Sequence, residues 1–273
     1  WESGDKAVLP DTRVIKTPDE IEVLEVDYVI TLDGTHIVAF KSNVVKDHFG
    51  YTDSDGAPAW EHHLLNLTRS VVVRSESTAH LNRGHMVFLD FAEPDLRYVE
   101  VRDMGRTNNA ASAQIGRYPV HMHKMAAVFN VEGCAVHNTV RNSPGAKWGI
   151  TVHNSNFGTL KNNVVYKFDG AGIAFEDGTE YKNVCDGNIV CDVYGTGDRF
   201  NKGRDGVGLW FGGPWNKIEN NAAYNVHCEL NAQGDPKPFA YGFIVTLQDT
   251  FAPEGGWDTA NNPKVPLKAG DDI

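Results

Sequence analysis

Short runs of alternating apolar and polar residues follow one another along most of the chain, and no segment shows sustained helical periodicity. Several of these runs start at a glycine and share one alternating pattern. They are Gly149–His153, Gly172–Glu176, Gly206–Trp210 and Gly242–Thr246. Because alternate side chains of a strand point to opposite faces, the pattern predicts short β-strands that each bury one face.

A second set of short β-type runs lies between the glycine-led ones, and each contains an asparagine. The asparagines are Asn138, Asn163, Asn188 and Asn221, at separations of 25, 25 and 33 residues. Asparagines at equivalent turns of stacked strands can hydrogen-bond to one another as a ladder. The alternative is that each asparagine only suits its own turn. We favour the ladder because the asparagines keep step with the glycine-led strands.

The two interleaved sets of strands predict an all-β fold, a right-handed parallel β-helix in which each coil buries its apolar face by stacking on its neighbours. Residues 1–66 are expected to form a small β-rich N-terminal region with a connecting loop. The β-helix is expected over residues 67–251, and residues 252–273, rich in Pro, Gly and Asp, predict an irregular cap or linker. A globular sandwich is the alternative, and it predicts no common register for the glycine-led strands.

The composition and net charge of the chain argue against some classes of binding partner. The chain has 273 residues, of which 41% are hydrophobic, so it can form a core. The formal net charge of −11 argues against nucleic acid and anionic membrane surfaces as partners, because both attract clustered Lys and Arg. The longest apolar runs are far too short to span a bilayer, so we expect no direct membrane insertion by this fragment.

Strand alternation places a column of chemically active side chains on the outer wall of the predicted β-helix. In the run that ends at His153, Ile150 and Val152 face the core, which turns the histidine outward. Successive coils stack about 4.8 Å apart, so outward side chains in the same register are expected to line up. The members of this column are His121, His153, Glu176 and Trp210, with His123 two residues along the first strand.

Imidazoles beside carboxylates at this spacing have two chemical uses. His121, His123 and His153 can ligate one divalent metal, zinc or calcium. Alternatively, these histidines together with Glu176 and Asp177 can act as acid and base across a bound sugar. The simpler alternative is a set of solvated surface side chains. The column argues against this simpler alternative, because His153 and Glu176 fall into the column through the repeat of glycine-led strands, which is inferred independently of them.

Candidate substrate-binding residues surround the column. Trp210 is expected to offer an exposed aromatic platform for a sugar ring. Lys147, Lys124 and Arg117 supply positive potential to an otherwise acidic chain. Taken one at a time, each basic residue is better explained as solvated coil surface.

Eight segments carry a resemblance to a known family. They are Trp1–Leu9, Asp47–Gly50, Leu67–Arg74, Leu96–Gly105, Gly116–His123, Val136–Thr139, Thr151–Asn154 and Glu176–Glu180. The chain resembles the β-helical ectodomain of the group formed by the cell migration-inducing hyaluronan-binding protein, transmembrane protein 2 and fibrocystin-L. The first two segments resemble the end of that group's G8 domain and the motif that closes it, and the others resemble its β-helical coils.

The resemblance covers most of residues 1–246 and implies an extracellular or cell-surface protein whose partner is a polysaccharide or another glycan. Hyaluronan depolymerisation is attributed to some members of the group. The resemblance also implies that this chain is a fragment of a longer protein, whose N-terminus lies upstream of Trp1. Two functions stay open. The first is metal-assisted cleavage of a uronic-acid-containing polysaccharide by a hydrolase or a lyase. The second is non-catalytic carbohydrate binding or adhesion by the same β-helix.

Overall fold

The structure is a computed structural model that describes residues 1–12, 20–48, 50–52, 54–56, 58–60, 62–107, 116–138, 148–195, 206–228 and 240–245. Within these ranges the regular structure is almost entirely strand, and the one helical segment is a 3-10 turn at His80–Asn82. The predicted all-β class is therefore confirmed. The cap or linker expected at residues 252–273 lies outside the described residues.

The N-terminal part of the chain forms a small antiparallel sheet. Its first three strands are β1 (Lys6–Leu9), β2 (Glu22–Leu32) and β3 (Thr35–Phe40). The strands β4 (Tyr51–Thr52) and β5 (Pro58–Trp60) form a separate antiparallel pair, and β6 (Leu65–Asn66) completes the first sheet in the order β3-β2-β1-β6. The β-rich N-terminal region predicted from the sequence is present, and the position of its boundary at residue 66 stays a prediction.

The remaining strands wind through three parallel sheets. Each of the first five coils contributes one strand to each sheet, and the described part of the sixth contributes one to each of the first two. The first sheet contains β7 (Val71–Arg74), β10 (Val99–Arg102), β13 (Ala135–His137), β16 (Val164–Asp169), β19 (Ile189–Tyr194) and β22 (Ala222–His227). The second sheet contains β8 (Met86–Asp90), β11 (Val120–Met125), β14 (Ile150–His153), β17 (Ala171–Phe175), β20 (Val207–Phe211) and β23 (Tyr241–Val245). The third sheet contains β9 (Asp95–Arg97), β12 (Asn130–Glu132), β15 (Thr159–Lys161), β18 (Val184–Asp186) and β21 (Lys217–Glu219). This arrangement confirms the predicted parallel β-helix.

The three sheets enclose one apolar core. Alternate side chains of the second sheet enter it, among them Met122, Val152, Phe175 and Phe211, which are all buried. On the outside, the N-terminal sheet covers the first sheet: Val8 and Leu65 belong to a second buried cluster with side chains of β16 and β19. The outer face of the second sheet therefore carries the candidate site, while the outer face of the first sheet is occupied by the chain's own N-terminal region.

The predicted asparagine ladder exists, with one correction. The Nδ2 of Asn163 donates to the Oδ1 of Asn188 at 2.9 Å, and the Nδ2 of Asn188 donates to the Oδ1 of Asn221 at 2.9 Å. Asn138 is not a member, so that part of the prediction is wrong. Because Ala135 pairs with Val164, the residue opposite Asn163 is Cys134, whose backbone N–H donates to the Asn163 Oδ1 at 2.9 Å.

The register of the glycine-led strands also differs from the prediction at one coil. Leu209 lies opposite Ile173, so Gly208, not Gly206, is in register with Gly172. A Cβ added at Gly172 would lie 2.3 Å from the Val190 Cγ1, so a glycine is required where the second sheet packs closely on the first. The observed pairing is shifted by two residues from the predicted one. Every side chain therefore stays on its predicted face, but Trp210 pairs two positions away from its predicted place.

Candidate metal and catalytic site

Three histidines meet on the outer face of the second sheet, as the sequence predicts. The ring centroids of His123 and His153 are 4.5 Å apart, those of His121 and His123 are 5.0 Å apart, and those of His121 and His153 are 5.9 Å apart. The predicted order within the column is wrong, because His123 pairs with His153 and His121 pairs with Thr151. The two histidines of β11 thus lie beside the single histidine of β14.

His121 is buried, with only 2% of its surface exposed. Its Nδ1 lies 2.8 Å from the carbonyl oxygen of Gly116. Because a carbonyl only accepts, the proton resides on Nδ1 and the lone pair on Nε2. That Nε2 is buried and has no hydrogen-bond partner among the described residues. Burial, together with the charges of the neighbouring imidazoles, lowers the pKa of His121 to about 3, so the ring is neutral at physiological pH.

His123 presents a second buried nitrogen to the same space. Its Nδ1 has no hydrogen-bond partner within the described part of the chain, and burial lowers the pKa of its ring. One nitrogen from each of the three histidines lies within 4.8 Å of the other two. His121 and His123, whose pKa values are lowered, present buried nitrogens without partners that fit a metal preferring nitrogen ligands. His153 would join them through its Nδ1 by exchanging the contact with Glu176 for the metal, with the rings turned inward to reach zinc–nitrogen distances of about 2.0–2.1 Å.

Two carboxylates hold the third histidine. The Nε2 of His153 lies 2.8 Å from the Oδ2 of Asp177, and its Nδ1 lies 3.3 Å from the Oε2 of Glu176. Burial acts to lower the pKa of His153, but the Asp177 hydrogen bond and the two negative charges outweigh it and raise the pKa. The predicted neighbours Glu176 and Asp177 are therefore in direct contact with the histidine cluster.

Glu180 organises the turn that carries these carboxylates. Its side chain has no exposed surface. Its Oε1 accepts hydrogen bonds from the backbone N–H of Asn154 at 2.8 Å and of Asp177 at 3.1 Å, and its Oε2 accepts one from Gly178 at 2.9 Å. Glu180 thereby ties the turn after β14 to the turn after β17. Sequence reasoning placed it near the site but missed this role, since an inward-turned carboxylate has no local sequence signature.

Replacing Glu180 by glutamine is expected to flatten the pH dependence of stability. Burial raises the pKa of Glu180 to about 7 against an unperturbed 4.5. A group with a raised folded-state pKa stabilises the fold at low pH, and this contribution is lost as pH rises through 7. The wild type should therefore lose up to a few kcal/mol relative to Glu180→Gln between pH 4.5 and 8. Urea unfolding at several pH values tests this, with the exposed Glu93→Gln as control; parallel pH profiles for wild type and Glu180→Gln would contradict it.

Basic side chains lie at the opposite end of the histidine cluster. Arg117 precedes β11, and its carbonyl oxygen accepts a hydrogen bond from the backbone N–H of Arg106. Burial is the largest cause that lowers the pKa of His85, and the positive charges of these two arginines lower it further. The charge of His85 in turn lowers the pKa of His121. Arg106 was not among the predicted residues. The site therefore has arginines at the amino ends of its strands and carboxylates at the carboxyl ends.

The structure describes one of the two lysines that were predicted to bind substrate. Lys124 is exposed directly after His123, with a φ of 51°, at a register shift between β8 and β11. Its side chain is therefore accessible beside the cluster. Lys147 lies outside the described residues.

The prediction of an exposed Trp210 is wrong. Only 3% of its surface is exposed, and its ring lies 5.3 Å from that of Trp148. It faces outward as alternation requires, but it belongs to an apolar cluster that also contains Tyr118 and Ala174. Since the register places it opposite Ala174 and not beside Glu176, it cannot act as the sugar platform of the histidine site.

Comparison with known proteins agrees with the fold and with the region that carries the site. Residues 82–200 match the CEMIP beta-helix family. This range contains the three histidines, Glu176, Asp177 and Glu180. The resemblance inferred from the sequence is thereby confirmed for the part of the chain that forms the site.

The chain is similar to parts of much longer proteins. Mouse fibrocystin-L is 29% identical over 137 residues, which is 49% of this chain and 3% of that protein. The human cell surface hyaluronidase CEMIP2 is 31% identical over 117 residues, which is 39% of this chain and 8% of that protein. The communication mutant protein F of Dictyostelium discoideum is 27% identical over 147 residues, or 52% of this chain and 12% of that protein.

This chain therefore matches only a small part of each of these relatives. No solved structure matches the chain. Among the described residues, no helix has the length and apolar character needed to cross a membrane.

Proposed function

We propose that this chain belongs to an extracellular or cell-surface protein that depolymerises a uronic-acid-containing polysaccharide, assisted by a divalent metal held by His121, His123 and His153. The observation that carries the proposal is the convergence of three imidazoles whose nitrogens lie within 4.8 Å, beside two carboxylates. The similarity to a protein named cell surface hyaluronidase supports a glycan substrate and the location.

The donor set favours zinc over calcium. Calcium takes six to eight oxygen ligands, whereas imidazole nitrogens suit zinc and related metals. Two of the three imidazoles have pKa values lowered by burial, so protons compete weakly for their lone pairs. When bound, the metal supplies Lewis-acid polarisation of a substrate oxygen.

The chain's own residues divide the remaining tasks. Asp177 fixes the orientation of His153, as carboxylates do for many metal-bound histidines. Glu176 is then the carboxylate positioned to accept or donate a proton beside the cluster. Arg117 and Arg106, together with Lys124, supply the positive charge that a uronate carboxylate needs as negative charge develops in the reaction.

The polarity of the site orients the substrate. The arginines lie at the amino ends of β8 and β11, and the carboxylates follow the carboxyl ends of β14 and β17. An acidic sugar is therefore bound with its carboxylate toward Arg117 and its scissile bond toward Glu176. This orientation also separates the sugar's negative charge from those of Glu176 and Asp177.

A depolymerisation assay tests the proposal. The purified chain is incubated with hyaluronan, chondroitin or polygalacturonate, and polymer length is followed by size-exclusion chromatography. We expect one of these polymers to shorten, the shortening to stop with chelator and to return with zinc, and Asp177→Asn to slow it about 10–100-fold. Asp95→Asn, an exposed change on the third sheet, is the control. An unsaturated uronate product identifies a lyase, and a saturated one a hydrolase. Binding without shortening under any metal condition would instead identify a non-catalytic carbohydrate-binding module.

A further inference from the structure

The turns that follow the strands of the second sheet carry an exposed row of side chains that the proposed function does not use. Thr159, Val184 and Lys217 are paired in register. The residues two positions before them therefore occupy equivalent places on three successive coils. These residues are Phe157, Lys182 and Trp215, which we call the turn row.

All three side chains of the turn row are accessible. Phe157 is 52% exposed and Trp215 is 37% exposed, and Lys182 is exposed between them. The ring of Tyr181 packs edge-on against Phe157 at 5.2 Å, which supports the phenyl ring from one side. Since coils stack about 4.8 Å apart, the aromatic residues lie about 10 Å apart with the ammonium group of Lys182 in the intervening coil.

The backbone of the turn row is unusual for its residue types. Phe157 and Lys182 have φ values of 62° and 54°, in the left-handed region that side chains other than Gly, Asn and Asp seldom adopt. Such conformations persist where surrounding contacts impose them. Here the backbone N–H of Phe157 donates to the Tyr181 carbonyl, and that of Lys182 donates to the Trp215 carbonyl at 2.8 Å. These left-handed turns therefore hold Phe157 and Lys182 outward on adjacent coils.

We propose that the turn row binds an acidic polysaccharide in which a uronic acid alternates with a neutral sugar, an inference that rests on the proposed function. The two aromatic rings stack on pyranose faces one disaccharide apart, and Lys182 pairs with the carboxylate of the sugar between them. One coil of the β-helix advances by about the length of one pyranose unit. An aromatic–cation–aromatic order thus matches a neutral–acidic–neutral run of sugars laid along the axis.

The turn row is continuous with the histidine site. Tyr181 directly follows Glu180, and the Glu180 carboxylate binds the backbone N–H of Asn154 and Asp177. Phe157 lies three residues beyond Asn154 on the same turn. A polysaccharide that reaches Glu176 therefore has the turn row beside it as a holding surface for neighbouring sugars.

Affinity electrophoresis of the full chain through gels containing hyaluronan tests the turn row, with dextran gels as the neutral comparison. We expect Phe157→Ala and Trp215→Ala each to weaken hyaluronan binding about tenfold, the scale of an aromatic anchor at an interface. Lys182→Glu is expected to weaken binding by a similar factor, with an effect that shrinks at high salt. Tyr28→Ala, a 54% exposed aromatic on β2, is the matched control. Zinc affinity is expected to be unchanged in all four variants, and each is expected to stay folded, with a small decrease in melting temperature where the lost aromatic ring was partly buried.

The outcomes separate this inference from the proposed function. If the variants weaken binding but the wild type shortens no polymer, the turn row stands and the enzymatic proposal fails. If the wild type shortens hyaluronan and the variants bind it as tightly as the wild type, the turn row is overturned and the enzymatic proposal stands. A wild type that is not retarded by hyaluronan overturns the turn row as stated.

Discussion

Replacing His123 and His153 together by alanine is expected to abolish high-affinity zinc binding. The double change removes two of three imidazoles whose nitrogens lie within 4.8 Å, so only His121 is left to bind the metal. Loss of a supporting residue alone typically costs 10–100-fold in metal affinity. Removal of two ligands should therefore cost at least about 1000-fold. Competition titration with a chromogenic zinc chelator measures the affinity, and the visible spectrum after cobalt substitution reports tetrahedral nitrogen coordination.

A matched control variant and the melting temperature in the presence of zinc accompany the affinity measurement. His36 is exposed on the N-terminal hairpin, where its Nδ1 lies 2.8 Å from the Thr31 hydroxyl, and His36→Ala should leave zinc affinity unchanged. A ligand that binds only the folded state raises its stability, so zinc should raise the melting temperature of the wild type and of His36→Ala only. Equal zinc affinity in the double variant and the wild type would exclude the cluster as the metal site.

The faces of the strands could be predicted from the sequence because alternation has a period of two. Val152 and His153 are assigned to opposite faces whatever the pairing register, and the structure agrees. The register itself is harder to predict, because a shift by two residues preserves every face. An alignment on Gly206 instead of Gly208 therefore leaves every side chain on its correct face, but it places Trp210 beside Glu176 when its partner is Ala174.

The parts of the site that depend on turns between coils were not predictable. The covering of His121 arises from residues before β11, and the inward orientation of Glu180 arises from three backbone N–H groups in two different turns. Neither arrangement has a period that alternation can detect. Asn183 and Asn216 form a second buried ladder, with an Nδ2 to Oδ1 distance of 2.9 Å, and it was missed because only two asparagines mark it.

Replacing Asn188 by alanine is expected to lower the free energy of unfolding by on the order of 3–5 kcal/mol, because several buried polar groups lose their partners and a cavity is left. Asn188 is fully buried at the centre of the first ladder. Its Nδ2 donates to the Leu160 carbonyl and to Asn221, both at 2.9 Å, and its Oδ1 accepts from the backbone and side chain of Asn163.

Urea unfolding, followed by circular dichroism, measures the effect of Asn188→Ala against that of Asn220→Ala. Asn220 is the neighbouring exposed asparagine, and its side-chain hydrogen bond among the described residues goes to Asp186. Because this bond is exposed and the φ of Asn220 is 52°, its replacement should cost about 1–2 kcal/mol. The ladder lies at the turn between the third and first sheets, away from the histidines on the second sheet. Zinc affinity of folded Asn188→Ala should therefore equal that of the wild type. Equal costs for the two asparagine replacements would mean that the ladder contributes no more than an ordinary turn asparagine.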